Sequence, residues 1–221
     1  MQEHSLTSIF SSDPDKYYKV DLFVEKGFKR QKCNICGKFY WSRLDRQFCP
    51  DHENYGFIGN PPTQKRFDFV NAWKQIEKYF IDNDHSVVNR YPVVCRWRDD
   101  LFFTIASIVD FQRIMNGKVV FELPHNPLVV PQMCLRFKDI ENVGVTGRHY
   151  TSFCMIGQTV NADADGGYWK DKCIEIDYVM LNKILGIPDD EITFVEDVWI
   201  GAGAFGCSLE YYVRGLELGN A

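Results

Sequence analysis

No run of about 18 consecutive apolar residues, the length a membrane-spanning helix needs, occurs anywhere in this chain of 221 residues. Its first residues, Met-Gln-Glu-His-Ser, have neither the basic nor the apolar region of a secretory leader. A soluble, cytoplasmic protein with no membrane partner is expected. Internal repeats and low-complexity tracts are also missing, so nothing points to a solenoid or a disordered linker. There is no basic excess: 25 Lys and Arg against 30 Asp and Glu give a formal charge of −5, which excludes a protein that binds nucleic acid over its whole surface. The balance is nevertheless uneven, with 11 basic and 8 acidic residues up to position 66 and 14 basic and 22 acidic beyond it. Histidine is scarce, at five. His4, His85 and His125 have no partner at metal or catalytic spacing, so a surface position is expected for each. A disulfide framework is lacking too. Only Cys33, Cys36 and Cys49 cluster, while Cys95, Cys134, Cys154, Cys173 and Cys207 are scattered through apolar segments as reduced core residues would be.

What is present suffices for a packed core, since 45% of the residues are apolar and 15% aromatic. The length suits one large domain with a small appendage, and the turn Gly59-Asn60-Pro61-Pro62 marks the boundary. Residues 1–62 read as an N-terminal arm, a short helix then extended chain, followed by a cysteine module; residues 63–221 read as the main domain. Phe69, Ala72, Trp73, Ile76 and Phe80 recur at helical spacing, with Asp68 placed to cap the start. A second helix is expected from about Lys172 to Leu185, with Cys173, Ile176, Met180 and Ile184 on one stripe and Gly186 and Pro188 ending it. Short apolar runs at Val87-Val88, Tyr91 to Val94, Leu128 to Val130, Ile192 to Val195 and Leu209 to Val213 read as strands, with Gly201 to Ala204 as a flexible turn before the last. Strands dominate after Val87 and one connection is a hairpin, so the fold class is α+β, an antiparallel sheet flanked by helices.

Three constellations carry chemistry. Arg136 and Arg148 flank a polar loop between two expected strands, an arrangement that brings separate guanidinium forks to one anion; the bland alternative pairs them with Asp139 and Glu141 at the surface. On a regular strand Arg148 and Phe153 would face opposite sides, so either Arg148 still belongs to the loop or a bulge intervenes. The spacing Cys33-x2-Cys36-x12-Cys49-x2-His52 is that of a structural zinc site, with Gly37 allowing a tight knuckle and four ligands closing the tetrahedron. Trp199 stands before Gly201 and Gly203, and Glu210 follows. By themselves Gly201 and Gly203 make only a weak phosphate-loop signal, and Trp199 reads as a core residue. Arg96, Arg98, Asp99 and Asp100 read equally as a solvated or salt-bridged turn or as substrate contacts.

The stretch from Cys134 to Phe153, with Leu135-Arg136, Asn142-Val143-Gly144 and Thr146-Gly147-Arg148-His149, resembles motif 2 of the class II aminoacyl-tRNA synthetases, in the form found in alanyl-tRNA synthetases of the archaeal type. Ser12-Asp13-Pro14-Asp15-Lys16-Tyr17-Tyr18, the cysteine module, Phe57-Ile58-Gly59, Arg96 to Asp100, Asn126 to Gln132, Tyr168 to Asp171 and Arg214 to Glu217 resemble the same family in the same order. The element from Asp68 to Val94 looks like a degenerate, structural motif 1. The resemblance implies a sheet of six or seven strands with flanking helices, and activation of L-alanine by ATP and Mg2+ followed by transfer to tRNA(Ala). It implies that Arg136 contacts the α-phosphate and the amino-acid carboxylate, that Arg148 and His149 position the nucleotide, and that Phe153 packs on adenine. Trp199, Gly201, Gly203 and Glu210 would line the amino-acid pocket. The chain departs from the family at Cys154, where Glu is common; at Ala204 for Asn; at Cys207-Ser208 for Pro-Cys; and at His52, where the module often ends in a later cysteine.

No motif 3, whose arginine binds the γ-phosphate in this family, follows Ala221. The expectation is therefore a piece of a longer ligase or one subunit of a split one, with a second polypeptide supplying motif 3 and the tRNA-recognition and editing parts. The rival is an inactive paralogue, a zinc-containing RNA-binding or regulatory module.

Overall fold

A computed structural model describes residues 3–201 and 204–221. In chain order the helices are α1 (Glu3–Ser12), α2 (Pro14–Tyr17), α3 (Asp21–Lys26), α4 (Phe69–Ile81) and α5 (Lys170–Val179). The strands are β1 (Lys29–Lys32), β2 (Phe39–Ser42), β3 (Ser86–Val87), β4 (Gln112–Met115), β5 (Lys118–Phe121), β6 (Leu128–Leu135), β7 (Ser152–Thr159), β8 (Thr193–Gly201), β9 (Ala204–Val213) and β10 (Leu216–Asn220). Among the described residues no helix is long and apolar enough to cross a membrane. The chain divides into two compact units, one of residues 1–66 with 169–221 and one of residues 67–168.

The first unit is built on a five-stranded antiparallel sheet in the order β1-β2-β8-β9-β10. The cysteine segment is thus stitched to the C-terminal strands, with Tyr40 opposite Val195 and Trp41 opposite Phe194. Phe23 stacks on Trp41 at 4.8 Å between centroids and contacts Phe28 and Phe194. Where an extended arm was expected after the first helix, α2 and α3 form instead. Asp13 accepts from the Lys16 amide at 3.3 Å and Pro14 opens α2, both favourable at a helix start. Helix α5 buries Ile174, Asp177 and Tyr178 as well as Ile176, more than the single expected stripe, because α3 also packs on it. It ends in a wide turn closed by the Leu185 amide on the Met180 carbonyl at 2.9 Å, an i→i+5 bond. Lys65 Nζ then caps the Lys183 and Ile184 carbonyls at 3.0 and 3.1 Å.

The second unit holds α4, the three-stranded sheet β3-β6-β7 and the hairpin β4-β5. Asp68 caps α4 as its position suggested, its carboxylate taking the Asn71 amide at 2.7 Å. Strand β3 runs parallel to β6, and β6 pairs with β7 along eight antiparallel positions. The strand expected over Tyr91 to Val94 does not form; only an isolated bridge joins Val94 to Phe103. Pro92 has no amide to give a ladder. The buried Gln132 side chain replaces it, accepting the Tyr91 amide at 2.8 Å and donating to the Tyr91 carbonyl at 3.2 Å. His85, expected at the surface, is buried: its ring nitrogens contact the Asn83 carbonyl and the Tyr168 hydroxyl, both at 2.7 Å. Burial pulls its pKa down.

Candidate functional site

In the second unit the β6–β7 register puts Val130, Gln132 and Cys134 on one face, opposite Gly157, Met155 and Phe153. Arg136 continues that face by the two-residue period of a strand, its amide bonded to the Thr151 carbonyl at 3.0 Å. The turn at Ser107–Phe111 lies against the inner part of the face. The Ser107 amide donates to Met155 Sδ at 3.4 Å, and a Cβ on Gly157 would stand 2.2 Å from Ser107 Oγ. The outer part of the face carries Arg136 and Phe153. The guanidinium carbon is 5.0 Å from the Phe153 ring centroid and Nε donates to the Ile105 carbonyl at 2.8 Å. These two contacts orient the fork, while Nη1 and Nη2 have no hydrogen-bond acceptor among the described residues.

The loop between the strands is held by Thr146. Its hydroxyl lies 2.5 Å from His149 Nδ1 and accepts the Arg148 amide at 3.3 Å. Gly144 and Gly147, at φ +79° and +74°, make the turns that lead to it. Arg148 precedes β7, so of the two arrangements left open by strand parity the structure has Arg148 in the loop, without a bulge. His149 lies in the loop as well, so strand parity does not apply to it.

The same unit holds a polar cluster in which the sequence points to Arg98 and Asp100 but not to Asp110 or Gln112. Arg98 is buried, with Nε and Nη2 on the Asp100 carboxylate at 2.9 and 2.5 Å and Nη1 on Gln112 Oε1 at 2.5 Å. Of its two sequence readings, the salt-bridged one describes its contacts. Asp110 is fully buried, and among the described residues neither its carboxylate oxygens nor Gln112 Nε2 have a hydrogen-bond partner. Burial pushes Asp110 up to about 7, against the pull of Arg113. No spacing rule marks a lone aspartate that the fold will enclose.

In the first unit the cysteine spacing becomes a cluster. Cys33, Cys36, Cys49 and His52 offer donor atoms that all lie within 4.8 Å of one another. Cys33 Sγ is 3.7 Å from His52 Nδ1, Cys36 Sγ is 3.7 Å from Cys49 Sγ, and Cys49 Sγ is 3.2 Å from His52 Nδ1. Ligands on a tetrahedron with metal–sulfur bonds of about 2.3 Å stand ~3.8 Å apart, so the set fits one ion with no position left open. Gly37 at φ +75° forms the knuckle, and the Pro50–His52 turn carries the second pair. Burial opposes ionisation of Cys33, but the backbone amides of Cys36, Cys49 and Ile35 outweigh it and bring the thiol to about 6. Burial, then its neighbours Cys33 and Cys36, push Cys49 up to about 12. Without a cation, one thiolate in the cluster discourages the next.

The same sheet carries the remaining candidates. Strand pairing sets Trp199 opposite Gly206, Gly201 opposite Ala204 and Val195 opposite Glu210, so Trp199, Gly201 and Glu210 share one face of β8 and β9. The indole folds over Gly201: an added Cβ would meet Trp199 Cζ2 at 2.8 Å. Trp199 is 37% exposed, so it is not an ordinary core tryptophan. Gly203 lies outside the described residues. Glu210 rises to about 7, first through burial and then through the charges of Asp197 and Glu217, with Lys38 opposing.

Comparison with known proteins bears on the family of the chain. The model of the tRNA synthetases class II (A) matches residues 74–213. A protein named alanine–tRNA ligase from Nitrosopumilus maritimus is 62% identical over all of this chain and 25% of its own length. Its namesake in Cenarchaeum symbiosum is 61% identical over the same shares, and that of Methanocella arvoryzae is 44% identical over 96% of the chain and 24% of its own length. The chain thus spans about a quarter of the length of the curated relatives it matches. With a family model covering most of the chain and a mixed fold of largely antiparallel sheets and helices to go with it, the chain belongs to the class II (A) tRNA synthetases.

Proposed function

We propose that the chain is the front part of the catalytic domain of an alanine–tRNA ligase, acting in the cytoplasm. With ATP and Mg2+ it activates L-alanine to alanyl-adenylate and pyrophosphate, and the alanyl group then passes to tRNA(Ala). The observation that carries this reading is the match of the whole chain, at 62% identity, to a protein of that name. The rest of the relatives' length, in the same or a second polypeptide, supplies motif 3 and the tRNA-recognition and editing parts.

Arg136 is the principal group for the first step. As the alanine carboxylate attacks the α-phosphorus, negative charge grows on the nonbridging oxygens, and a guanidinium already oriented stabilises it without reorganising. The contacts of Arg136 with Ile105 and Phe153 support this role, since they use Nε and the ring-facing plane and leave the two terminal nitrogens for an anion. Phe153 offers its ring to adenine, and Arg148 and His149 on the Thr146-braced loop position the nucleotide. Trp199, Gly201, Gly203 and Glu210 shape the alanine pocket. Catalysis is positioning and charge neutralisation, with no covalent protein nucleophile. Cys33, Cys36, Cys49 and His52 hold a structural zinc ion, which ties two short segments together.

The test is alanine-dependent ATP–pyrophosphate exchange with the chain joined to, or mixed with, the remaining polypeptide. Arg136→Ala is expected to slow exchange about 10²- to 10³-fold, the cost of losing one oxyanion donor. Unchanged kinetics would remove Arg136 from the mechanism, and no exchange by the intact enzyme would favour the inactive paralogue.

A further inference from the structure

The cysteine cluster and the Trp199 face look like separate features, one structural and one for substrate. The register joins them. Tyr40 pairs with Val195, Val195 with Glu210 and Thr193 with Tyr212, so Tyr40, Val195, Glu210 and Tyr212 lie on the face that carries Asp197 and Trp199. Cys33, Cys49, Tyr40, Val195 and Tyr212 form one buried cluster, so the module sits on this face. Glu210 lies in the row of Val195, the next row on this face is Asp197 with Ser208, and the one after it is Trp199 with Gly206.

Both carboxylates are linked to charged residues of the module that are not ligands, Asp197 directly and Glu210 through the Tyr212 hydroxyl. Lys38, two residues after Cys36, donates to Asp197 Oδ2 at 2.9 Å, and its carbonyl accepts the Cys33 amide at 2.9 Å. Asp51, between Cys49 and His52, lies 3.4 Å from the Tyr212 hydroxyl through Oδ1, and that hydroxyl is 3.3 Å from Glu210 Oε2. A phenol has one proton to give, so Asp51 and Glu210 share one donor, and whatever fixes Asp51 biases the contact left for Glu210. A module that only braced its own hairpin would need neither contact.

We propose that Lys38 and Asp51 are positioning residues through which the metal module orients Asp197 and Glu210 on the face of Trp199, so that metal occupancy sets the geometry of these two carboxylates. Carboxylates crowded together in a half-buried place repel, and without Lys38 and the shared hydroxyl they turn away from one another. The assignment of this face to alanine rests on the functional reading above; the mechanical coupling does not.

The experiment uses the full-length, metal-loaded enzyme with Lys38→Met, Tyr212→Phe and Glu210→Ala. Metal content is measured by colorimetric titration, KM for alanine and for ATP by pyrophosphate exchange, and metal release from the rate of transfer to a chelator. Lys38→Met and Tyr212→Phe are expected to retain one metal per chain and an unchanged KM for ATP, with KM for alanine raised about 3- to 10-fold. Glu210→Ala is expected to raise KM for alanine and to change metal release at least about twofold, since coupling acts in both directions. A wild-type KM for alanine in both Lys38→Met and Tyr212→Phe, while Glu210→Ala raises it, overturns the proposal. Should Glu210→Ala leave that KM unchanged, the pocket assignment fails and metal release decides: an altered rate upholds the coupling and an unaltered rate overturns it.

Discussion

Replacing Asp110 by Asn should remove one distinct component of the pH dependence of this chain's stability below neutrality. The side chain is fully buried and its carboxylate oxygens have no hydrogen-bond partners among the described residues, so its charged form has lost hydration without compensation. Its pKa rises from 3.8 to about 7. Between these values the folded chain keeps a proton that the unfolded chain has released, so stability falls as pH rises through the window and levels off above it. Every pH unit crossed inside that window removes about 1.36 kcal/mol, so the loss between about pH 4 and 7.5 is on the order of 4 kcal/mol. Asn keeps the shape without the charge, but its amide also goes unpartnered, a pH-independent cost of about 1–3 kcal/mol. The decisive quantity is therefore the pH slope of the difference between the two proteins. Urea unfolding at half-unit steps from about pH 4 to 8.5 measures it, and subtracting one curve from the other cancels the overlapping titrations of Glu210 and Asp177, which burial pushes to about 7 and about 8. The difference should change in favour of the variant by up to about 1.36 kcal/mol per pH unit across the window. Parallel curves would refute the reasoning and mean that Asp110 is hydrated or paired in solution.

Other expectations follow from close contacts and from the metal site. Gly157→Ala should destabilise the chain by about 1–3 kcal/mol, because its methyl would stand 2.2 Å from Ser107 Oγ and 2.3 Å from Ser107 Cβ; adding Ser107→Gly should recover most of this in thermal melts, and no recovery would place the strain elsewhere. Gly201→Ala should displace the Trp199 indole, which lies 2.8 Å from the added carbon. The readout is a shift in tryptophan emission and a raised KM for alanine with KM for ATP unchanged. Removing the metal with a chelator, or replacing the buried Cys49 by Ser, should lower Tm, and zinc should restore it in the wild type alone. A Tm indifferent to chelation would argue against an ion at the cluster.

Features whose information lies within a few neighbouring residues were legible in the bare chain. The helical period and the Asp68 cap specify α4, apolar runs around a glycine-bearing loop specify the β6–β7 hairpin, and the cysteine spacing specifies the metal cluster, since each depends on geometry only a turn or a knuckle wide. The position of Arg136 at the end of β6 follows from the same local period. Long-range packing settled what depends on partners far along the chain. Gln132 supplies the bonds that Pro92 denies the Tyr91 segment, His85 is buried against Tyr168, and Asp110 is enclosed by elements that no local pattern names. Only the pairing of Tyr40 with Val195 brings the cysteine module onto the face of Trp199 and Glu210. That pairing spans 155 residues, and its register is chosen by the packing of a whole sheet rather than by any residue's own preference.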